Sequence, residues 1–322
     1  MEVHPSDIET ARSRIAGIAR PTPLIPSPRL GEIAGAPVHL KLENLQATGS
    51  FKVRGAASKI LGLSAEERAR GVITWSSGNH GLAVAYVARL QGILATLCIP
   101  EWIDPVKLAS IRREGAEIVT CGEVDEAAGR SEEIRQARGA TLVHAFDDPA
   151  VIAGQGTIGL EILEDLPGVG TVVVPLSGGG LISGVALALK ERGVRVIAAY
   201  AEKAAVMVAS VQAGRPVSLP EEETLATALS GGIDLDNRHT FHIVQRMVDG
   251  FVPVSEDEIV DAMAFALDEH RLVLEGGGAV AVAALLAGRL RAEGPVAAVI
   301  SGGNIALPRF LAAMETRERR AC

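Results

Sequence analysis

Residues 48–56 read Thr48-Gly49-Ser50-Phe51-Lys52-Val53-Arg54-Gly55-Ala56, a stretch that closes a β pattern and opens a helix. Upstream, Val38, Leu40 and Leu42 alternate with His39, Lys41 and Glu43, the period of a strand with one buried face. The chain then turns over residues 44–49. Ser50 is placed to cap the helix, and the small residues Gly55, Ala56 and Ala57 let it lie close to a neighbour or a flat ligand. Lys52 projects from the first turn. The positive end of the helix dipole and the cations Lys41 and Arg54 all favour its neutral amine. A neutral amine is a nucleophile that can condense with an aldehyde, and only six lysines compete for that role. From this segment alone, a solvated surface lysine stands as an equal alternative.

At 322 residues and 48% hydrophobic composition, the chain can build two domains sharing one cleft. A formal net charge of −8 with no basic run argues against nucleic acid or an anionic membrane as partner and favours a small metabolite. Residues 1–7 are polar with no apolar core behind them, and no apolar run reaches the length of a membrane span, so a cytoplasmic protein is expected. Cys98, Cys121 and Cys322 match neither a disulfide framework nor a zinc spacing.

Residues 8–18 carry a helical pattern that Pro21, Pro23, Pro26 and Pro28 forbid from continuing. The strand pattern at 71–75 leads into Ser76-Ser77-Gly78-Asn79-His80-Gly81 and an alanine-rich helix, which gathers backbone N–H groups at one anion-sized spot. Strands at 94–99 and 117–121 with helices at 105–114 and 124–139 complete a small parallel sheet. Residues 172–176 form a continuous apolar run, as a central strand does. The next stretch, Ser177-Gly178-Gly179-Gly180-Leu181-Ile182-Ser183-Gly184, opens a helix where amides and dipole can hold a phosphate. It does not match the G-x-G-x-x-G dinucleotide fingerprint. A strand is expected at 194–200. Ser255 and Glu258 form a capping box for a helix over 255–269. Glu275 brings a carboxylate to the start of a buried Ala/Val helix, and a last strand at 297–300 ends in Ser301-Gly302-Gly303-Asn304. The lone His144 reads as a satisfied core histidine.

Lys41-Leu42-Glu43-Asn44-Leu45-Gln46-Ala47-Thr48-Gly49-Ser50-Phe51-Lys52-Val53-Arg54-Gly55-Ala56 resembles the Schiff-base segment of the serine/threonine dehydratases, pyridoxal phosphate (PLP) enzymes of the tryptophan-synthase-β fold. Pro21-Thr22-Pro23-Leu24, Phe146-Asp147-Asp148-Pro149 with Gly154-Gln155-Gly156-Thr157, and Ser301-Gly302-Gly303-Asn304 follow in family order, so the resemblance spans nearly the whole chain. It implies an α/β architecture of two doubly wound parallel-sheet domains with the cofactor in the cleft between them. The large domain would take residues 1–70 and 146–322, and the small substrate-closing domain residues 71–145. Cofactor contacts would come from Phe51, Lys52, Asn79, Ser177, Gly178, Gly179, Gly180, Leu181 and Ser301. Ser76, Ser77, Gly78, Asn79 and His80 would receive the substrate carboxylate. Lys52 would carry PLP and then, freed, remove the Cα proton of a β-hydroxy amino acid such as L-threonine or L-serine. Loss of the hydroxyl as water would lead to a 2-oxo acid and ammonia. A homodimer is the implied assembly.

Three departures qualify the resemblance. Ser177 stands where relatives often have a fourth glycine. Tyr200 and Val206 align with metal-binding carboxylates of some relatives and are not hard-cation ligands, so no metal is expected. Residues 229–241 look like the version in dehydratase-like proteins of hydroxyectoine utilisation, and Asp234, Arg238 and His239 are candidates to contact a longer polar substrate. Ser77 matches the serine that acts on the opposite face of Cα in serine racemases. Racemisation and a non-catalytic PLP-binding regulator are therefore the rival readings.

Overall fold

The computed structural model describes residues 3–76, 78–101, 105–122 and 124–321. Cys322 and Ser77 lie outside the described residues. In chain order the strands are β1 (Leu24–Pro26), β2 (Val38–Leu42), β3 (Val72–Trp75), β4 (Ala95–Pro100), β5 (Glu117–Cys121), β6 (Thr141–Leu142), β7 (Thr171–Pro175), β8 (Arg195–Ala201), β9 (Gly250–Val254) and β10 (Val296–Ile300). They form a six-stranded sheet in the order β1-β2-β10-β7-β8-β9 and a four-stranded sheet in the order β5-β4-β3-β6. Every strand pairing is parallel except β1 with β2.

Parallel strands are joined by helices that cover both faces, so their side chains are buried on either side. The large sheet shows this directly. Val173, Ala298 and Ile300 point into one core with the helix Gly276–Leu286, whereas Val172, Val174, Ala297 and Val299 point into a second with the helix Gly180–Leu189. Each fully buried Val or Ile contributes about 1.5–3 kcal/mol.

The helix Lys52–Leu61 lies between the two sheets. Val53, Ala56, Ala57 and Ile60 share a core with Val72, Val84 and Leu97 of the smaller sheet and its helices. Its other side crosses the helix Pro149–Asp165 closely enough that a Cβ on Gly55 would collide with Gln155 and Val151.

Several local expectations give way to tertiary contacts. Ser50 does not cap the lysine helix: Phe51 holds the N-cap position without a side-chain bond, while Ser50 bridges Gly302 and the Phe51 N–H donates to the Ser301 carbonyl at 3.1 Å. The first helix runs Pro5–Ile15, short of residue 18, because Ala16 leaves helical geometry and Gly17 adopts φ +88°. Strand β2 has no solvated face. Lys41 is buried opposite Leu40, with its Nζ 2.7 Å from both the Thr22 carbonyl and Glu161.

Candidate active site

Three glycine-rich turns and the start of the lysine helix line one cavity of about 760 Å³ between the sheets. It contains Phe51, Lys52, Ser76, Gly78, Asn79, His80, Ser177, Gly178, Gly179, Gly180, Leu181 and Ser301, which are the described residues among those the sequence nominates.

The Lys52 Nζ donates to the Ala145 carbonyl at 2.7 Å and sits 5.2 Å from the Phe51 ring centre. Burial pulls its pKa down from 10.5 to about 8. The cations expected to share in this do not. Arg54 is neutralised by Glu43 at 2.8 Å and Glu161 at 2.5 Å, and Lys41 by Glu161. Burial works to lower the Arg54 pKa, but the two carboxylates overcome it and raise it. This buried network, placed behind the first helical turn, fixes the direction from which Lys52 projects.

The glycine cup follows β7. Gly179 has φ +87°, a conformation that disfavours any side chain. A Cβ on Gly178 would run into the Phe146 ring, and one on Gly180 would stand 2.8 Å from the Phe146 Cα. The helix Gly180–Leu189 has no side-chain cap, so its first amides offer themselves to an anion. The Ser177 hydroxyl does not turn inward; it donates to the Leu229 carbonyl at 2.9 Å.

Asn79 opens the helix Asn79–Leu90. Its Oδ1 accepts the Asn304 amide at 2.8 Å, and its Nδ2 donates to Glu275 Oε1 at 2.6 Å. Glu275 is the residue that sequence reasoning left outside the site; the available signal was a carboxylate at the start of an apolar helix. Burial raises its pKa from 4.5 to about 7, against the hydrogen bond from Asn79. His80 is buried with Nε2 2.8 Å from the Val143 carbonyl. Burial first, then the Lys52 charge, lowers its pKa to about 3, so it meets the cavity as a neutral ring. Ser76 Oγ accepts the Gly78 N–H at 3.3 Å. Ser301 Oγ donates to the Gly277 carbonyl at 3.3 Å.

Of residues 229–241, Leu229, Ser230, Gly231 and Gly232 line the cavity, whereas Asp234, Arg238 and His239 do not. Arg238 points outward, with 77% of its side chain exposed. The expectation that these polar groups reach a longer substrate is therefore not met. Tyr200 is half-buried one residue before the end of β8, and Val206 is buried in the core at the start of the helix Val206–Ala213.

The residues fit the cofactor that the sequence resemblance implies. A cup that admits only glycine suits a phosphate, an amine near pKa 8 suits an aldehyde, and Phe51, Asn79 and Ser301 line the same cavity.

The family described as pyridoxal-phosphate dependent enzyme matches residues 15–302. The L-threonine ammonia-lyase of Thermotoga maritima is 46% identical over 93% of this chain and 75% of its own. A catabolic L-threonine dehydratase of Staphylococcus aureus is 41% identical over 96% and 91%. Among solved structures, maize serine racemase superposes with a TM-score of 0.92 at 33% identity, covering 100% of this chain and 99% of that one. Threonine deaminase isoform 2 of Solanum lycopersicum gives 0.89 at 32%, covering 98% and 87%. With a buried lysine and three glycine-rich turns lining one cavity and the match running through nearly the whole chain, this protein belongs to the pyridoxal-phosphate dependent enzymes.

Proposed function

We propose that the chain removes water from a β-hydroxy amino acid, L-threonine or L-serine, and releases a 2-oxo acid and ammonia, with PLP carried on Lys52. The observation that carries this reading is one cavity in which the Lys52 amine, at a pKa of about 8, stands with a cup for a phosphate and a helix start for a carboxylate. Relatives named for threonine support the substrate.

Bound PLP supplies a sink for the electron pair left at Cα. The chain supplies the rest. Amides of residues 178–181 take the phosphate, and Asn79, held at both ends by Asn304 and Glu275, presents its remaining N–H in a fixed direction. The turn at 76–80 takes the substrate carboxylate. The freed Lys52 amine accepts the Cα proton, and its depressed pKa keeps a usable fraction neutral near pH 7. The buried Ser301 hydroxyl, on turning its proton from the Gly277 carbonyl, would be a neutral partner for the ring nitrogen, which would leave the sink moderate and suit rapid loss of the β-hydroxyl.

The turn at 76–80 follows strand β3 of the smaller sheet and the cup follows β7 of the larger. Residues 71–145 would therefore close onto the rest of the chain around bound substrate. Crystals with and without a substrate analogue that superpose throughout would count against this. The chain would act as a homodimer. Free thiols at Cys98 and Cys121 suit the reducing cytoplasm.

Likeness to serine racemase supports a second activity, racemisation. A panel of β-hydroxy amino acids, with 2-oxo acid release and enantiomer content followed together, tests both. Oxo-acid release from L-threonine or L-serine that outpaces enantiomer formation is expected; the reverse order would overturn dehydration as the main reaction.

A further inference from the structure

The loop around residues 230–240 carries polar side chains that do not line the cavity, and Asp234 reaches across 90 residues of sequence to His144. Its Oδ2 stands 3.0 Å from His144 Nε2. The other ring nitrogen, Nδ1, accepts the N–H of Asp147 at 2.7 Å and of Phe146 at 3.2 Å. A nitrogen facing two N–H donors carries no proton of its own, so these partners assign the ring proton to Nε2, pointing at Asp234. The hydrogen bond from His144 holds the Asp234 carboxyl below its usual range. The His144 ring is packed edge-on between Trp75, at 5.5 Å between centres, and Phe146, at 4.6 Å.

Asp147 fastens the same turn from the other end. Its carboxylate accepts the backbone N–H groups of Arg238, His239 and Thr240 at 2.7, 2.9 and 2.8 Å. Between the two fastenings lies Ala145, whose carbonyl accepts Lys52 Nζ at 2.7 Å. Phe146, next along, backs the glycine cup.

We propose that Asp234 and His144 form a positioning pair that holds the Ala145 carbonyl against the free amine of Lys52. The proposal rests on the reading of Lys52 as the reactive amine. Without the Asp234 carboxylate nothing anchors the Nε2–H end of the ring, which can then swing so that Nδ1 leaves its two N–H donors. The turn must open, and the carbonyl leaves the amine.

The test uses Asp234→Leu, which removes the acceptor at similar size, in protein stripped of PLP and then reloaded. Three quantities are read: the nitrogen-15 shift of His144 Nδ1 by NMR, the rate at which the imine absorbance returns on adding PLP, and the split between kcat and KM. We expect loss of the hydrogen-bonded Nδ1 shift and an imine rate lower by about tenfold or more, with kcat falling in step and KM moving less than about threefold, since displacement by about 1 Å can cost up to a hundredfold. Asp236→Leu, on an exposed neighbour, should match wild type. His144→Asn keeps an oxygen for the two N–H groups but loses Asp234, so adding Asp234→Leu to it should change nothing further. Wild-type Nδ1 shift and imine rate in Asp234→Leu, or effects that multiply in the double variant, would overturn the pair. Changes in shift and imine rate as stated, without threonine turnover in wild type, would uphold the pair and sink the proposed substrate instead.

Discussion

An amine is reactive toward an aldehyde only when neutral, and Lys52 reaches that state through burial rather than through neighbouring cations. Its attack on free PLP should therefore quicken about tenfold per pH unit up to about pH 8 and then level off. Stopped-flow measurement of imine formation on stripped protein checks this; a rate still climbing at pH 10 would mean an ordinary lysine. Glu275 makes the opposite kind of demand. Its folded pKa of about 7 lies above the ordinary 4.5, so between those values the native chain binds more protons than the unfolded one. The stability this gives is complete below about pH 4.5 and lost as pH rises through about 7. Over that window stripped protein should lose on the order of 3 kcal/mol. Glu275→Gln, which keeps an oxygen for Asn79, should flatten the decline in melting temperature. A wild-type curve already flat from pH 5 to 8 would contradict the assignment.

If PLP binds as proposed, its retention should depend on the turn between β7 and the helix Gly180–Leu189. Gly178→Ala would drive a methyl group into Phe146, and overpacking of about 1–3 kcal/mol corresponds to roughly ten- to a hundredfold weaker PLP binding. Fluorescence titration measures it; unchanged affinity would show that the cup yields. This turn was legible in the sequence because its glycines and the apolar run before them are adjacent. So were β7 and β10, whose continuous apolar residues admit no other reading, and the Ser255 capping box, which forms as written. Strand β1, only three residues long, and β9, an edge strand carrying Pro253, give no such local signal. The misread contacts are all long-range. Ser50 exchanges a cap for Gly302, and Arg54 meets a carboxylate 107 residues away. Asn79–Glu275 and His144–Asp234 span 196 and 90 residues. No periodicity encodes these pairs; only the closed fold brings them together.

At the scale of the molecule, two parallel sheets place their glycine turns around one lysine helix, and the chemistry sits where the two meet. Among the described residues no cluster of three or more His, Cys, Asp or Glu side chains is arranged to hold a metal, and Tyr200 and Val206 offer no carboxylate. Activity should therefore survive EDTA; a large loss restored by Mg²⁺ would contradict the assignment of those two positions. On this reading the cleft between the sheets carries PLP on Lys52. Borohydride reduction of the PLP-loaded protein, followed by peptide mapping, tests it most directly. The reduced cofactor should be found on Lys52 alone; an adduct on Lys41, Lys59, Lys107, Lys190 or Lys203 in its place would overturn the assignment.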